Sequence, residues 1–415
     1  MSTKEVKGTA LASAYFTLQG IGTLISWNGV LNGLDYFNEK FPDGDVFTLL
    51  PIAFNSAQVF ANFFLPKLLT KLSLENRIII PLIISACILI GLPIEANVLQ
   101  GTAVGFWVMM FLLFIMGNLN CIYQGSVSGF ASSFPFKYTS YFLMGTGLAG
   151  VVMNILRALA IVSFSNMRGG PLIEIIVYFG AAGLILIGCV LIHPMFIKSA
   201  FCKAYTARDA DVEPLIANSA GSQDQTVELI IRQNEEPEKL AVNFTTIMKV
   251  FGETKFYVLL LFLNYAISFT TFPGIMQEKP IPSLSNDWKL VSMLTTFNVF
   301  DVVGKNLAQH RKLYTKWTIF GIVIFRFVFD ALFILQAIPI SVAVFNTAWF
   351  GFLNIALFGL TNGFATTALF IMGPEVVDGP KKEIAGFLSV FGLVTGLTAG
   401  GLCALPINKY IVNAN

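Results

Sequence analysis

Residues 290–308 read LVSMLTTFNVFDVVGKNLA. The stretch has the length of a bilayer-spanning helix, which needs about 20 predominantly apolar residues. Yet Asp301 and Lys305 sit inside it, four residues apart. A charge at the centre of a bilayer costs about 2.5–3.5 kcal/mol on insertion scales, so such residues face a protein interior or a water-filled path and take partners there. At i and i+4 the two side chains share one helix face, and Asn298 lies one turn earlier on nearly the same face. Two readings stand. One is an intrahelical pair that neutralises itself, with Lys305 snorkelling toward the headgroups. The other is a polar stripe that lines a cavity, which accounts better for Asp301 because its stem is short and its position deeper.

The rest of the chain makes the same demand on its surroundings. Of 415 residues, 55% are hydrophobic and 12% charged, and the mean hydropathy is +0.72. Soluble domains carry about 25% charged residues, so this is an all-α integral membrane protein, and a net charge of +2 gives no reason to expect a nucleic-acid partner. Eleven apolar runs are long enough to span: 10–34, 46–70, 77–97, 102–131, 139–165, 172–196, 246–272, 287–308, 317–338, 343–372 and 384–408. Backbone amides cannot stay unpaired in lipid, and these runs are too long for barrel strands, so each is expected to be a helix. One long polar segment, 197–245, contains ARDADVEP, NSAGSQDQ and NEEPEKL and is expected to be a flexible cytoplasmic loop. It separates a six-helix bundle at 1–196 from a five-helix bundle at 246–415.

Lysine and arginine placement sets the expected orientation. With the N-terminus in the cytoplasm, 18 basic residues face that side and five, namely Lys40, Arg168, Lys279, Lys289 and Lys409, face outside. Eleven spans then put the C-terminus outside. The apolar N-terminal stretch is too long for a cleaved signal peptide and is expected to remain as a helix. The one N-x-[ST] sequon, Asn243-Phe-Thr, falls on the cytoplasmic side and should carry no glycan.

Three basic residues belong to no loop: Lys305, Arg326 and Arg157. Arg326 has Asp330 at i+4, the same device as Asp301 and Lys305, and a structural or gating role is expected for it. Arg157 has no acid on its own helix and needs a partner from elsewhere, either Asp301 or a substrate oxygen; the choice stays open. GTGLAG (Gly145, Gly147, Gly150) and FGLVTGLTAGG (Gly392, Gly396, Gly400) mark close helix contacts. Five cysteines without a CxxC read as free thiols, and two isolated histidines read as boundary residues, so neither a metal nor another cofactor is expected.

Function classes fall away in turn. There is no phosphate-cradling GxxxxGK[ST], no filter or charge-ring motif of a channel, and no hydrolase constellation. What remains is one deep indole, Trp27, with neutral amides and a few charges spread over many helices. That suits a carrier of a polar, roughly uncharged small molecule. A receptor or scaffold of the same architecture is the reading from another class, and nothing in 197–245 resembles a docking module.

The motifs, taken together, resemble the equilibrative nucleoside transporters. GIGTLISWN resembles that family's opening signature, YQGSVSGFASSFPFKYTSYFLMGTGLAG its fourth and fifth helices, TTFPGI the end of its seventh and FNVFDVVGK its eighth. LTNGFATTALFIMGPEVV and EIAGFLSVFGLVTGLTAGG resemble the last two. The matches run in order from residue 20 to 401. Ser26 stands where the family usually has Pro, and Lys305 where it has Arg, which keeps the charge and loses the planar fork. The resemblance implies a major-facilitator-like fold of 11 helices in a 6+5 arrangement that moves nucleosides, and sometimes free nucleobases, purines among them, by facilitative alternating access. The substrate would sit near the midplane between the halves. Trp27 would stack on the base, with Leu24 as a wall one turn earlier. Gln124 would read the base edge, Asp301 and Lys305 would serve the ribose, and Leu31 and Leu397 would line the cavity, with Asn298 on the same stripe. The alternative is a proton-coupled symporter using Asp301. A monomer in the plasma membrane is expected, partnered only by its solute and the bilayer.

Overall fold

A computed structural model describes residues 9–44, 46–164, 170–211, 244–272, 274–278, 281, 284, 286–338, 343–379 and 381–407. The first bundle is built from α1 (Thr9–Asn32), the short α2 (Leu34–Lys40), α3 (Val46–Lys71), α4 (Leu74–Val98), α5 (Ala103–Ser132), α6 (Phe136–Phe164) and α7 (Gly170–Ile197). A further helix, α8 (Ala200–Asp211), follows it. The second bundle holds α9 (Phe244–Thr271), α10 (Gly274–Glu278), α11 (Asn286–Leu307), α12 (Lys316–Phe325), α13 (Phe327–Ala337), α14 (Ala348–Glu375) and α15 (Lys381–Ile407).

Among the described residues, eight helical segments are long and apolar enough to cross a membrane, α12 and α13 together forming one of them. The long helices α1, α3 and α11 occupy the other three expected runs and carry more polar side chains. Those polar groups are the reason the three are less apolar, and they point inward: Gln19, Thr23 and Asn28 on α1, Asn55, Gln58 and Asn62 on α3, and Asn298, Asp301 and Lys305 on α11 are all buried. Large apolar side chains such as Trp107, Leu184 and Phe325 cover the outer surface instead, as lipid contact requires.

Small residues set the closest helix contacts. A methyl group on Gly392, Gly396 or Gly400 of α15 would run into the carbonyls of Val258, Phe262 and Ala266 on α9. On α6, Gly145 meets the Thr17 carbonyl of α1, while Gly147 and Gly150 face Val302 and Asn298 of α11. The expected role of these glycines is therefore the one they have: lipid tails are as apolar as leucine, so helices in a bilayer gain by close van der Waals approach. The two bundles meet where α6 packs on α11 and where α3 and α5 pack on α15. At one end the seam is closed by Arg77 and Glu383, 3.5 Å apart, and by the Ser128 hydroxyl, which donates to the Gly386 carbonyl at 3.4 Å.

The segment 197–245 differs from expectation in its described part. Residues 200–211 form α8, whose Phe201 and Tyr205 rings pack on Phe134. Phe201 also meets Tyr138 and Phe196. The reason is composition: AFCKAYTA carries three apolar or aromatic anchors before the charged run begins. Residues 212–243, with the Asn243 sequon, and the chain termini bearing Lys4, Lys7 and Lys409 lie outside the described residues. All five cysteines are free thiols.

Candidate functional site

The stripe on α11 forms as the i, i+4 spacing predicts. Lys305 Nζ lies 2.7 Å from Asp301 Oδ2. Each residue is also held by another helix. The ammonium donates to Thr146 Oγ1 on α6 at 2.8 Å, across the seam between the bundles. Asp301 Oδ1 accepts from Asn362 Nδ2 on α14 at 2.8 Å. Asp301 is 4% exposed and Lys305 3%, so the ammonium does not snorkel to the surface. Asn298 lies over Gly150 of α6, and its amide makes no hydrogen bond among the described residues.

Gly147 and Gly363 make this arrangement possible. A methyl on Gly147 would crowd Val302, Asp301 Oδ2 and the Lys305 stem. One on Gly363 would collide with the Asp301 carbonyl. The α11 helix is thus gripped by α6 on one side and α14 on the other, with its charged face between them.

On the α1 side, Trp27 is 7% exposed and does not face lipid. Its ring lies 5.1 Å from Phe54 of α3 and 6.1 Å from Phe269 of α9, so the indole touches both bundles. From Phe269 the aromatic contacts continue to Phe272 at 6.4 Å and from Phe272 to Phe297 at 4.2 Å, one turn before Asp301. Leu24 is half-buried, one turn from Trp27, while Leu31 and Leu397 are buried. Gln124 on α5 is 3% exposed, and its amide has no hydrogen-bond partner among the described residues. One turn earlier, Asn120 donates to Gln58 Oε1 at 3.4 Å, and Gln58 donates to Asn55 Oδ1 at 3.2 Å. A line of neutral amides therefore runs from α5 to α3 beside Gln124.

Two expectations need correction. Arg326 and Asp330 do not pair. The helix is interrupted at Arg326, between α12 and α13, and the guanidinium turns inward to α14 and α9. Its Nη1 donates to the Phe358 carbonyl and to Thr361 Oγ1, both at 2.8 Å, and its Nη2 donates to Ser268 Oγ at 2.5 Å. Asp330 instead accepts from Thr271 Oγ1 at 2.9 Å. Arg157 does not pair with Asp301. It is ion-paired with Asp35 of α2 and with Glu174 of α7, inside the first bundle and away from α11. Glu174 had a signal in the sequence, since it is an acid at the edge of the 172–196 run, but pairing it with Arg157 needs the packing of α6 on α7.

The residues that sequence reading left without a role are Asn362, Asn264, Ser268 and Thr146. Asn362, Asn264 and Ser268 connect the Asp301 pair to Arg326, while Thr146 ties Lys305 to α6. The two asparagines were visible as polar residues within spans; the two hydroxyls gave no signal, because Ser and Thr are common in membrane helices.

A buried charged face thus lies on one bundle, an indole and amides on the other, and a seam between them. The fold resembles those of solved major facilitator superfamily transporters. FucP, a major facilitator superfamily transporter solved in its outward conformation, aligns with a TM-score of 0.61 at 14% identity, covering 99% of this chain and 92% of that one. A crystal structure of tetrameric PepTSo2 aligns with a TM-score of 0.53 at 11% identity, covering 98% and 95%. The nucleoside transporter family profile matches residues 109–408, and the chain belongs to that family. Curated relatives include Equilibrative nucleotide transporter 1 of Arabidopsis thaliana, 26% identical over 94% of this chain and 84% of its own length. Another is Equilibrative nucleoside transporter 1 of Homo sapiens, 24% identical over 93% and 94%. The protein is an integral multi-pass membrane transporter and not an enzyme.

Proposed function

We propose that this protein is a facilitative carrier that passes nucleosides across a bilayer, holding the base beside Trp27 and Gln124 and the ribose at Asp301 and Lys305. The observation that carries this reading is the Asp301–Lys305 pair at the seam, with one bond, Lys305 to Thr146, running to the opposite bundle. Alternating access needs groups that touch cargo and both halves at once. Trp27 meets the same condition from the other side.

The chemistry fits a neutral polar solute. Each carboxylate oxygen of Asp301 has one described partner and can accept another bond, which suits vicinal hydroxyls. Gln124 both donates and accepts, as a base edge demands. All eleven runs cross the bilayer in this reading, six before α8 and five after it, with the N-terminus in the cytoplasm and the C-terminus outside. The Arg77–Glu383 end of the seam is then cytoplasmic, and it is closed. The protein works as a monomer in the plasma membrane.

Proton coupling through Asp301 finds less support. Both carboxylate oxygens are already engaged, Oδ2 by the Lys305 ammonium and Oδ1 by the Asn362 amide, as expected of a group that holds cargo in place. The test is uptake of labelled adenosine, uridine and adenine into proteoliposomes, with and without a protonophore. Saturable nucleoside uptake indifferent to the protonophore is expected. No uptake of any nucleoside above empty vesicles would overturn the reading, and uptake that collapses with the protonophore would restore the symporter.

A further inference from the structure

We propose that Asn362 is a positioning residue for the ribose-binding carboxylate, and that Ser268 and Arg326 hold Asn362 in the orientation this requires. The proposal rests on the reading that Asp301 contacts ribose.

The orientation of an asparagine amide is decided by its neighbours. Asn362 Oδ1 takes Asn264 Nδ2 at 3.1 Å, faces the Ser268 hydroxyl at 2.9 Å, and has Arg326 Nη2 at 3.4 Å. These groups converge on that atom from α9 and the α12–α13 break, and the Asn264 amide and the Arg326 guanidinium come to it as donors, so it is the carbonyl oxygen. The amide nitrogen is therefore turned to Asp301 Oδ1, which it meets at 2.8 Å. A flipped amide would place a second oxygen against the carboxylate and a nitrogen against the Asn264 amide donor and the Arg326 guanidinium, failing at both ends.

Arg326 is fully buried, and no carboxylate of the described residues lies within ion-pair distance of it. Its four hydrogen bonds among the described residues all go to neutral oxygens, two of them, Ser268 Oγ and Asn362 Oδ1, in the cluster behind Asp301. A cation donating into a chain of hydrogen bonds polarises it, and the far end becomes a stronger donor. The far end here is Asn362 Nδ2, on the carboxylate. Lys305 holds Oδ2 and Asn362 holds Oδ1. With both oxygens pinned, the carboxylate plane is fixed, and one acceptor direction on each oxygen is left for a hydroxyl.

A group that aims Asp301 should act on ribose hydroxyls and not on the base. The experiment uses the full chain in proteoliposomes, with the KM for labelled adenosine set against the inhibition constant of 2′,3′-dideoxyadenosine, which lacks both hydroxyls. In Asn362→Ala the adenosine KM is expected to rise about tenfold or more, while the dideoxy constant stays near the wild-type value. Both constants moving together, or neither moving, overturns the proposal, because a merely structural role lowers the amount of active protein without changing their ratio. If Asn362→Ala is not recovered folded, Ser268→Ala decides: a smaller shift of the same ratio is expected, with Ser268→Thr, which keeps the hydroxyl, shifting it less. Equal shifts in the two Ser268 variants, or none, overturn it as well. Asp301→Asn separates the levels. If it leaves the ratio at the wild-type value, the ribose reading itself has failed; if it abolishes the ratio while Asn362→Ala does not, only the positioning role has failed.

Discussion

The interiors of the two bundles solve the problem of buried polarity in opposite ways. In the first, apart from Arg77 and the Arg157 cluster, the buried polar groups are amides, hydroxyls and one imidazole. Tyr123 donates to Gln19 Oε1 at 2.6 Å, Gln19 donates to the Cys189 carbonyl at 2.9 Å, and Tyr15 is bonded to His193 Nδ1 at 2.8 Å. The Arg157 cluster, with Asp35 and Glu174, lies toward the α2 end of that bundle. In the second, Asp301, Lys305, Arg326 and Asp330 are all deep, and neutral amides and hydroxyls serve to hold them. The difference teaches a division of labour. In the proposed site, neutral amides such as Gln124 would choose among bases without a large desolvation cost. Charges give stronger and better-aimed bonds to hydroxyls, but they need a scaffold of partners, since an uncompensated buried charge costs about 3–5 kcal/mol.

The sharpest break in this comparison is Asp301→Ala. It strands Lys305, and uptake of adenosine is expected to fall about a hundredfold or more, in line with the loss of a buried partner. The double variant Asp301→Leu/Lys305→Met separates stability from transport. Its melting temperature should recover toward the wild-type value, because apolar replacement of a buried pair is often neutral, while uptake stays lost. Recovery of uptake as well would reduce the pair to a structural one.

Trp27→Ala comes next. Stacking of a base on an aromatic face is worth about 1–3 kcal/mol, so the KM for adenosine should rise about five- to a hundredfold, and Trp27→Phe should recover part of it. Gln124→Ala removes a neutral bond and should cost about tenfold in KM, with a different factor for adenosine than for uridine because their base edges differ. A uniform factor would say that Gln124 does not read the base. The smallest effect belongs to Arg77→Ala. The Glu383 side chain is 40% exposed and the contact is 3.5 Å, and pairs of this kind contribute about 0–1 kcal/mol. Stability should barely change, and the ratio of inward- to outward-facing protein, read by cysteine accessibility on either side, should shift no more than about fivefold.

The site was unevenly legible. Asp301 and Lys305 announced themselves because i, i+4 spacing puts them on one face of any helix, whatever surrounds it. The same rule misled at Arg326, where the helix breaks and a guanidinium surrounded by carbonyls and hydroxyls ignores its neighbour in sequence. It was silent at Arg157, whose acids come from α2 and α7. Trp27 was placed inside by its depth in the first run, and its contacts with Phe54 and Phe269 agree.

What the sequence determined by itself was the helical membrane architecture and the inward face of α11, because lipid admits no unpaired backbone and few charges. Hydrophobicity and periodicity are properties of a single segment, so they can be read without neighbours. Which partner each buried charge takes was decided only by tertiary packing. Asn362 stands 61 residues from Asp301 along the chain and Thr146 stands 159 from Lys305, and contacts of that range depend on which helices lie side by side, which no local pattern encodes.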